Sequence, residues 1–372
     1  MQQFDVRVRG AGIVGQSLAL SLARLGLRVA LQPGAAPMAA REDVRAYALN
    51  AASVALLRKI KVWDGLPAHA ATRVHDMHVQ GDAAGAALEF SAWEQRVGEL
   101  AWITDAAVLE RELAAAVRFA PHISVITEVQ GEPSATLTAL CEGKASNTRE
   151  AMGARFEQFD YGHEAIAARL TASRGHQGVA HQWFRSPDVL ALLPFDAPAP
   201  GCSYALVWSC PREQAQSLLG LDAVAFEAAL MHATAGAAGE LKLASARAAW
   251  PLMRAQASPW CGPGWVLLGD AAHVVHPLAG QGLNLGLADV TALAEVIAAR
   301  ESWRTLDDPK LLRRYERARL APTWAMGQVT DGLLRLFSHP APAVRELRNR
   351  GLTLVNSLPP LKRWLTARAL DS

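Results

Sequence analysis

The chain has little of what announces most kinds of function. Its four cysteines, Cys141, Cys202, Cys210 and Cys261, are scattered over 372 residues without CxxC spacing. Neither a disulfide framework nor a thiolate zinc site is expected, and the thiols should be free. Neither sign of charge prevails, with 37 basic residues against 35 acidic ones. No long basic run is present to track a phosphate backbone, which sets nucleic acid aside as a partner. No charge-free apolar stretch reaches the roughly 18–20 residues of a spanning helix, and no signal-like segment opens the chain, so a cytoplasmic protein is expected. Also missing are a GxSxG elbow, a P-loop lysine motif and a zinc constellation. His75 and His78 lie three apart on an alternating run and should point to opposite faces, so no metal site is expected there. The length exceeds the roughly 100–200 residues usual for one domain and predicts two.

What is present centres on residues 264–290. Trp265 to Leu268 reads as a buried strand that stops at Gly269-Asp270, leaving a carboxylate at a strand end. Pro277, Gly280 and Gly282 follow, and then Leu283, Leu287, Val290, Leu293 and Ile297 recur at helical spacing. The unpaired N–H groups and positive dipole end of such a helix suit an anionic or electron-rich group, and glycines let it approach the backbone. A second cradle opens the chain. An alternating run from Asp5 to Arg9 leads into Gly10-Ala11-Gly12-Ile13-Val14-Gly15, then a helix from Gln16 to Leu25 and a strand ending at Leu31. In this strand–turn–helix the first glycine permits the turn, the second admits a pyrophosphate and the third packs helix on strand. Gln32 occupies the place where an acid ordinarily binds the adenosine ribose, so the charge-assisted hydrogen bond is lost there.

Between these cradles, Arg45 precedes a helix from Ala51 to Ile60, and its guanidinium suits a phosphate. Alternation predicts strands at Val74–Val79, Ala87–Phe90, Ala101–Asp105, Ile123–Val129, Gly162–Leu170, Val179–Phe184 and Cys202–Cys210. Helices are predicted at Val108–Phe119, Leu218–Ala235, Pro309–Leu320 and Met326–Phe337. Trp183, Phe195 and Trp208 fit either a sheet core or the apolar wall of an aromatic-substrate pocket.

The string Gly269-Asp270-Ala271-Ala272-His273, with Pro277 and Gly280-Gln281-Gly282-Leu283-Asn284, resembles the second FAD fingerprint of the aromatic-ring flavoprotein monooxygenases with the para-hydroxybenzoate hydroxylase fold. From His276 to Val290 it is more closely similar to the ubiquinone-biosynthesis hydroxylases within that group. The run from Arg45 to Leu49 continues the likeness, as do Gly143, Ser146 and Arg149, although Glu142 stands where the family has Asp. The resemblance implies an α/β fold in which a Rossmann-like FAD-binding domain (1–72, 99–152 and 256–330) is interleaved with a mixed-sheet substrate domain (73–98 and 153–255), followed by a C-terminal helical tail (331–372). It implies FAD held by Gly10, Gly12, Ile13, Val14, Gly15, Gln32, Arg45, Gly143, Asp270, Pro277, Gly282, Leu283 and Asn284, with Asp270 on the ribitol chain. It also implies that the catalytic loop residues Pro277, Gly280, Gln281 and Gly282 run along the isoalloxazine ring.

With one dinucleotide fingerprint in the chain, NADPH or NADH must visit as a transient reductant. The implied reaction consumes O2 and hydroxylates an electron-rich phenol through a flavin hydroperoxide, the phenol being a polyprenylated intermediate of ubiquinone biosynthesis. Two alternatives stay open, an FAD-poor scaffold within a ubiquinone-synthesis assembly, to which Gln32 and Glu142 point, and a monooxygenase of another phenol. The halogenase Trp-x-Trp-x-Ile-Pro motif is absent, and a homo-oligomer is left open. Between Arg335 and Ser372 the tail carries seven basic residues against two acids beside several leucines and Trp364. That pattern suits a peripheral position on the inner membrane face as well as docking on the FAD domain.

Overall fold

The computed structural model describes residues 3–34, 43–81, 86–126, 133–275 and 281–338. The chain opens with β1 (Phe4–Arg9), α1 (Ile13–Ala23) and β2 (Val29–Gln32), a right-handed parallel unit in which Val6 faces Val29 and Val8 faces Leu31. It then runs through β3 (Ala46–Leu49), α2 (Ala51–Lys59), β4 (Ala71–Val74), β5 (Asp76–Gln80), β6 (Ala87–Ser91), α3 (Ala92–Gln95), β7 (Ala101–Asp105), α4 (Ala106–Phe119), β8 (Ile123–Val125), β9 (Ala135–Leu140) and α5 (Asn147–Ala151). The middle holds β10 (Arg155–Ala172), β11 (Val179–Arg185), β12 (Asp188–Phe195), β13 (Ser203–Pro211), α6 (Arg212–Gly220), α7 (Ala223–Thr234), β14 (Leu241–Leu243) and β15 (Ala248–Ser258). Short strands β16 (Cys261–Gly262), β17 (Trp265–Leu267) and β18 (His273–Val274) lead to α8 (Gln281–Ala298) and α9 (Pro309–Ser338).

Three sheets result. The first, β16-β17-β9-β1-β2-β8, is parallel apart from β16. β2 and β17 are buried throughout while β1 alternates, and Val6, Val8, Leu31, Leu137 and Val266 share one core with α1, α4 and α8. The second is the antiparallel trio β3-β7-β4. The third, β18-β15-β10-β13-β12-β11-β5-β6 with β14 beside β10, is antiparallel except where β11 meets β5. Ile166, Leu170, Leu206 and Trp208 on one of its faces pack with Phe226 and Leu230 of α7.

The fold is the α/β architecture expected, and several element boundaries differ. The run expected from Val74 to Val79 breaks at His75, so that β4 and β5 join different sheets. β12 was not expected, yet it lies between β11 and β13, and Pro194, which cannot donate to a ladder, sits opposite Tyr204 near its end. The single helix expected over Leu218–Ala235 is two, since Asp222 caps α7 by accepting from the Ala225 amide at 2.8 Å. The two helices expected after Pro309 are one, α9, which runs through Pro322 at the loss of one backbone hydrogen bond. The rest of the expected tail, 339–372, lies outside the described residues. Trp183, Phe195 and Trp208 are all nearly fully buried, so they serve as sheet core rather than as an open wall.

Candidate cofactor-binding and active site

At the β1–α1 turn the three glycines do three different things. Gly10 adopts φ +103°, and a Cβ there would collide with the carbonyl of Cys141, the residue just after the neighbouring β9. A Cβ at Gly15 would strike the Gly10 carbonyl, so these two positions are fixed by protein packing. Gly12 differs, because a Cβ there meets nothing within 4 Å and its φ of −75° is open to any residue. The absence of a side chain at Gly12 therefore leaves room in front of the α1 N-terminus, whose first-turn amides are unpaired. Ile13 is buried in the core. Val14 wedges between the two fingerprints, its Cγ2 lying 3.2 Å from where a Gly269 Cβ would be and 2.8 Å from the same point at Gly286 of α8.

Gln32 ends β2 beside this turn, and its backbone carbonyl accepts from the Gly10 amide at 2.8 Å. Its side chain is buried with Oε1 lacking a hydrogen-bond partner among the described residues. A buried acceptor left unmatched costs about 1–3 kcal/mol, so this atom is a place where a ligand hydroxyl would be welcome. A group with glycine-open backbone for phosphates and ribose hydroxyls for Gln32 fits here, and FAD is such a group.

The Asp270 turn follows β17, with Gly269 at φ +58°. Asp270 is solvent-accessible yet recessed among protein atoms, and that recession pushes its carboxyl above the ordinary value, with His273, Lys144 and Arg45 pulling the other way. Beneath it sits a buried charge network. Asp289 of α8 is fully buried and accepts from the Gly269 amide at 2.9 Å, His273 Nε2 at 2.7 Å and Arg319 Nε of α9 at 2.7 Å. Burial raises the Asp289 carboxyl, but His273 and Arg319 more than offset this and hold it below the usual range. His273 also stacks on Trp260, with centroids 5.0 Å apart.

Arg45 is gripped by Asp43, which accepts from its Nε at 2.8 Å and Nη2 at 2.7 Å. The guanidinium lies 5.8 Å from each of the Tyr47 and Trp250 rings. Burial pushes the Tyr47 phenol up to about 12, so it remains a donor at working pH. Gly143 has φ +76° and open space around it. Its neighbour Glu142 accepts from Arg9 Nε at 2.7 Å, Ser146 Oγ at 2.5 Å and Thr148 Oγ1 at 2.9 Å, and thereby ties the end of β1 to α5. Arg149, almost fully buried, stacks 3.5 Å over Phe156 and donates to the Ala271 carbonyl at 3.2 Å, which links this turn to the Asp270 turn.

Of the expected ring-side loop, Pro277 and Gly280 lie outside the described residues. Gln281 and Gly282 open α8, and a Cβ at Gly282 would meet nothing within 4 Å. Leu283 packs against the core, half-buried. Asn284 directs its side chain into the protein: Oδ1 accepts from the Asn50 amide at 3.1 Å and Ser53 Oγ at 2.7 Å, and Nδ2 donates to the Ala48 carbonyl at 2.8 Å. It clamps α8 onto the β3–α2 junction. Asp289 and Arg319 were not singled out from sequence, although an acid on the apolar stripe of α8 is a readable sign of a buried ionic partner.

The profile of the family described as FAD binding domain matches residues 3–330. A ubiquinone hydroxylase, UbiL, of Rhodospirillum rubrum is 31% identical over 99% of this chain and 90% of its own. The 3-demethoxyubiquinol 3-hydroxylase of Escherichia coli is 29% identical over 99% of each chain. Among solved structures, p-nitrophenol 4-monooxygenase PnpA from Pseudomonas putida superposes with a TM-score of 0.78 over 100% of this chain and 99% of its own at 16% identity, a likeness of fold. The chain belongs to the FAD binding domain family, as an FAD-dependent monooxygenase on the scaffold shared with ubiquinone hydroxylases.

Proposed function

We propose that the protein hydroxylates the aromatic ring of a polyprenylated phenol in ubiquinone biosynthesis, using bound FAD, O2 and NADPH or NADH. The observation that carries this reading is the open backbone at Gly12 and Gly282 around the recessed Asp270, on a chain whose near full-length relatives are ubiquinone hydroxylases. When bound, FAD supplies reduction by the nicotinamide and activation of O2 for transfer of one oxygen atom to the phenol. The protein binds, orients and keeps water out. Gly12 and the α1 N-terminus take the pyrophosphate, Gln32 the adenosine ribose and Asp270 the ribitol hydroxyls, while Arg45, fixed by Asp43, supplies positive potential for phosphate. The amides at the start of α8, from Gln281 and Gly282, would stabilise negative charge on the reduced cofactor. Deleting the gene and identifying the accumulated quinone precursor tests the reading. A precursor lacking one ring oxygen is expected, and an unchanged quinone pool would contradict it.

Gln32→Glu restores the usual acid at the ribose. A charge-assisted hydrogen bond exceeds a neutral one by about 1 kcal/mol, so FAD should bind roughly fivefold more tightly in a fluorescence titration. Weaker binding would mean that the pocket is built around the amide.

We further propose a peripheral membrane position. No helix among the described residues is long and apolar enough to cross a bilayer, and a polyprenylated substrate partitions into lipid. The segment Arg345 to Arg368 carries six cationic side chains beside leucines and Trp364, each cation contributing about 1 kcal/mol near anionic lipid. Co-sedimentation with anionic vesicles should weaken with salt and largely vanish when Lys362, Arg363 and Arg368 become Glu. Equal binding to neutral and anionic vesicles would exclude this role.

A further inference from the structure

A cavity of about 580 Å³ opens at β4, the edge strand of the three-stranded sheet. None of its lining residues belongs to the β1–α1 turn, the Asp270 turn or the Arg45 segment. Its size falls within the roughly 300–1,000 Å³ of small-molecule sites. We propose that it is a second ligand site, for a planar aromatic molecule carrying a carboxylate or phosphate.

Two indoles form its aromatic wall. Trp63 and Trp102 meet edge to face with centroids 5.3 Å apart. The β4–β7 register sets Arg73 directly opposite Trp102, and its guanidinium lies 4.9 Å over that ring. Arg73 is exposed and makes no ion pair among the described residues, so its donors face the cavity unspent. Trp63 is itself buried and braces Trp102, so what the cavity offers a ligand is the half-buried Trp102 beside a flat ring and the planar fork of Arg73 for an anion at that ring's edge.

The single acid among the lining residues does not cancel that cation. Asp196 Oδ2 accepts from Thr72 Oγ1 at 2.9 Å, and Oδ1 accepts from the Gly201 amide at 2.8 Å and His176 Nε2 at 3.2 Å. Burial raises its carboxyl, but these donors hold it below the ordinary range, and both oxygens are occupied. His176 Nδ1 accepts from the Gly178 amide at 3.0 Å. This pins the adjoining turn, where Gln177 is held in the left-handed region at φ +49°. With Gly178 at φ +73° beside it and the Val179 amide donating to the His176 carbonyl at 2.8 Å, this is a tight hydrogen-bonded turn that fixes the cavity wall on that side.

The test is calorimetric titration of the FAD-loaded protein with 4-hydroxybenzoate, with AMP and with neutral benzamide. At least one of the two anions should bind saturably. That binding should weaken at least tenfold in Arg73→Gln and be lost in Arg73→Glu, with flavin content and circular dichroism unchanged, and benzamide should bind more weakly than the preferred anion. Loss confined to 4-hydroxybenzoate identifies an aryl carboxylate, and loss confined to AMP a nucleotide phosphate. Absence of saturable binding by both anions, or binding unaffected by Arg73→Gln, overturns the proposal. The second outcome would place any bound anion elsewhere, including the phenol site. Because the readout is binding at Arg73, it stands or falls independently of the hydroxylation assigned above.

Discussion

A Gly12→Val variant should purify folded and colourless. The backbone at Gly12 has φ −75°, which valine accepts, and no protein atom lies within 4 Å of the added Cβ. Stability should therefore stay within about 0.5 kcal/mol of the parent, as for substitutions that create neither clash nor cavity. The branched side chain would occupy the space through which a pyrophosphate approaches the α1 amides. FAD affinity should fall on the order of a hundredfold, about 2.7 kcal/mol. Gly15→Ala is the contrasting case, because its Cβ runs into the Gly10 carbonyl and the strand–helix packing must give way. Absorbance at the flavin bands and thermal melting, measured on both variants, separate the two roles. Full flavin occupancy in Gly12→Val would refute the assignment of this turn to the cofactor.

Asp289→Ala should be the most destabilising of these changes. It removes the shared acceptor of His273 and Arg319 and leaves both donors buried in a region where Asp289 is fully enclosed. Breaking a buried pair from one side costs about 3–5 kcal/mol. Arg319 lies on α9 and Gly269 beside Asp270, so loss of helix docking and loss of flavin should accompany each other. The carboxyl of Asp289 is held below its ordinary value of 3.8 in the folded protein. Its contribution is therefore present above about pH 4 and is lost as pH falls further, through the folded-state value. The stability gap between parent and Asp289→Ala, followed by urea unfolding, should be present at neutral pH and narrow below about pH 4. A gap under 1 kcal/mol at neutral pH would mean that the network contributes little.

Both glycine-bearing turns were legible in the sequence because they are local. A turn that needs glycines at Gly10, Gly12 and Gly15, or a strand that stops at Gly269-Asp270, is written in adjacent residues. Contacts between distant segments were not legible. Arg319 is thirty residues from Asp289, and only the docking of α9 on α8 brings them to 2.7 Å. Glu142 looked like a departure from the family pattern that would weaken a site, whereas its longer side chain gathers Arg9, Ser146 and Thr148. Asn284 sits in the fingerprint, yet its amide is committed to Asn50, Ser53 and Ala48, a partnership visible only once α8 meets the β3–α2 junction. Arg73 falls just before the strand expected from Val74 and was not singled out, because its place over Trp102 depends on a pairing set by β7.

The most direct test of the hydroxylase assignment uses the precursor that accumulates in the deletion strain. Purified, FAD-loaded protein is given that compound, NADPH or NADH, and ¹⁸O2, and the product is read by mass spectrometry. The account predicts one ¹⁸O atom incorporated on the aromatic ring, with none when Gly12→Val replaces the parent protein. Nicotinamide oxidation with unlabelled precursor recovered intact, or ring oxygen drawn from water, would contradict it.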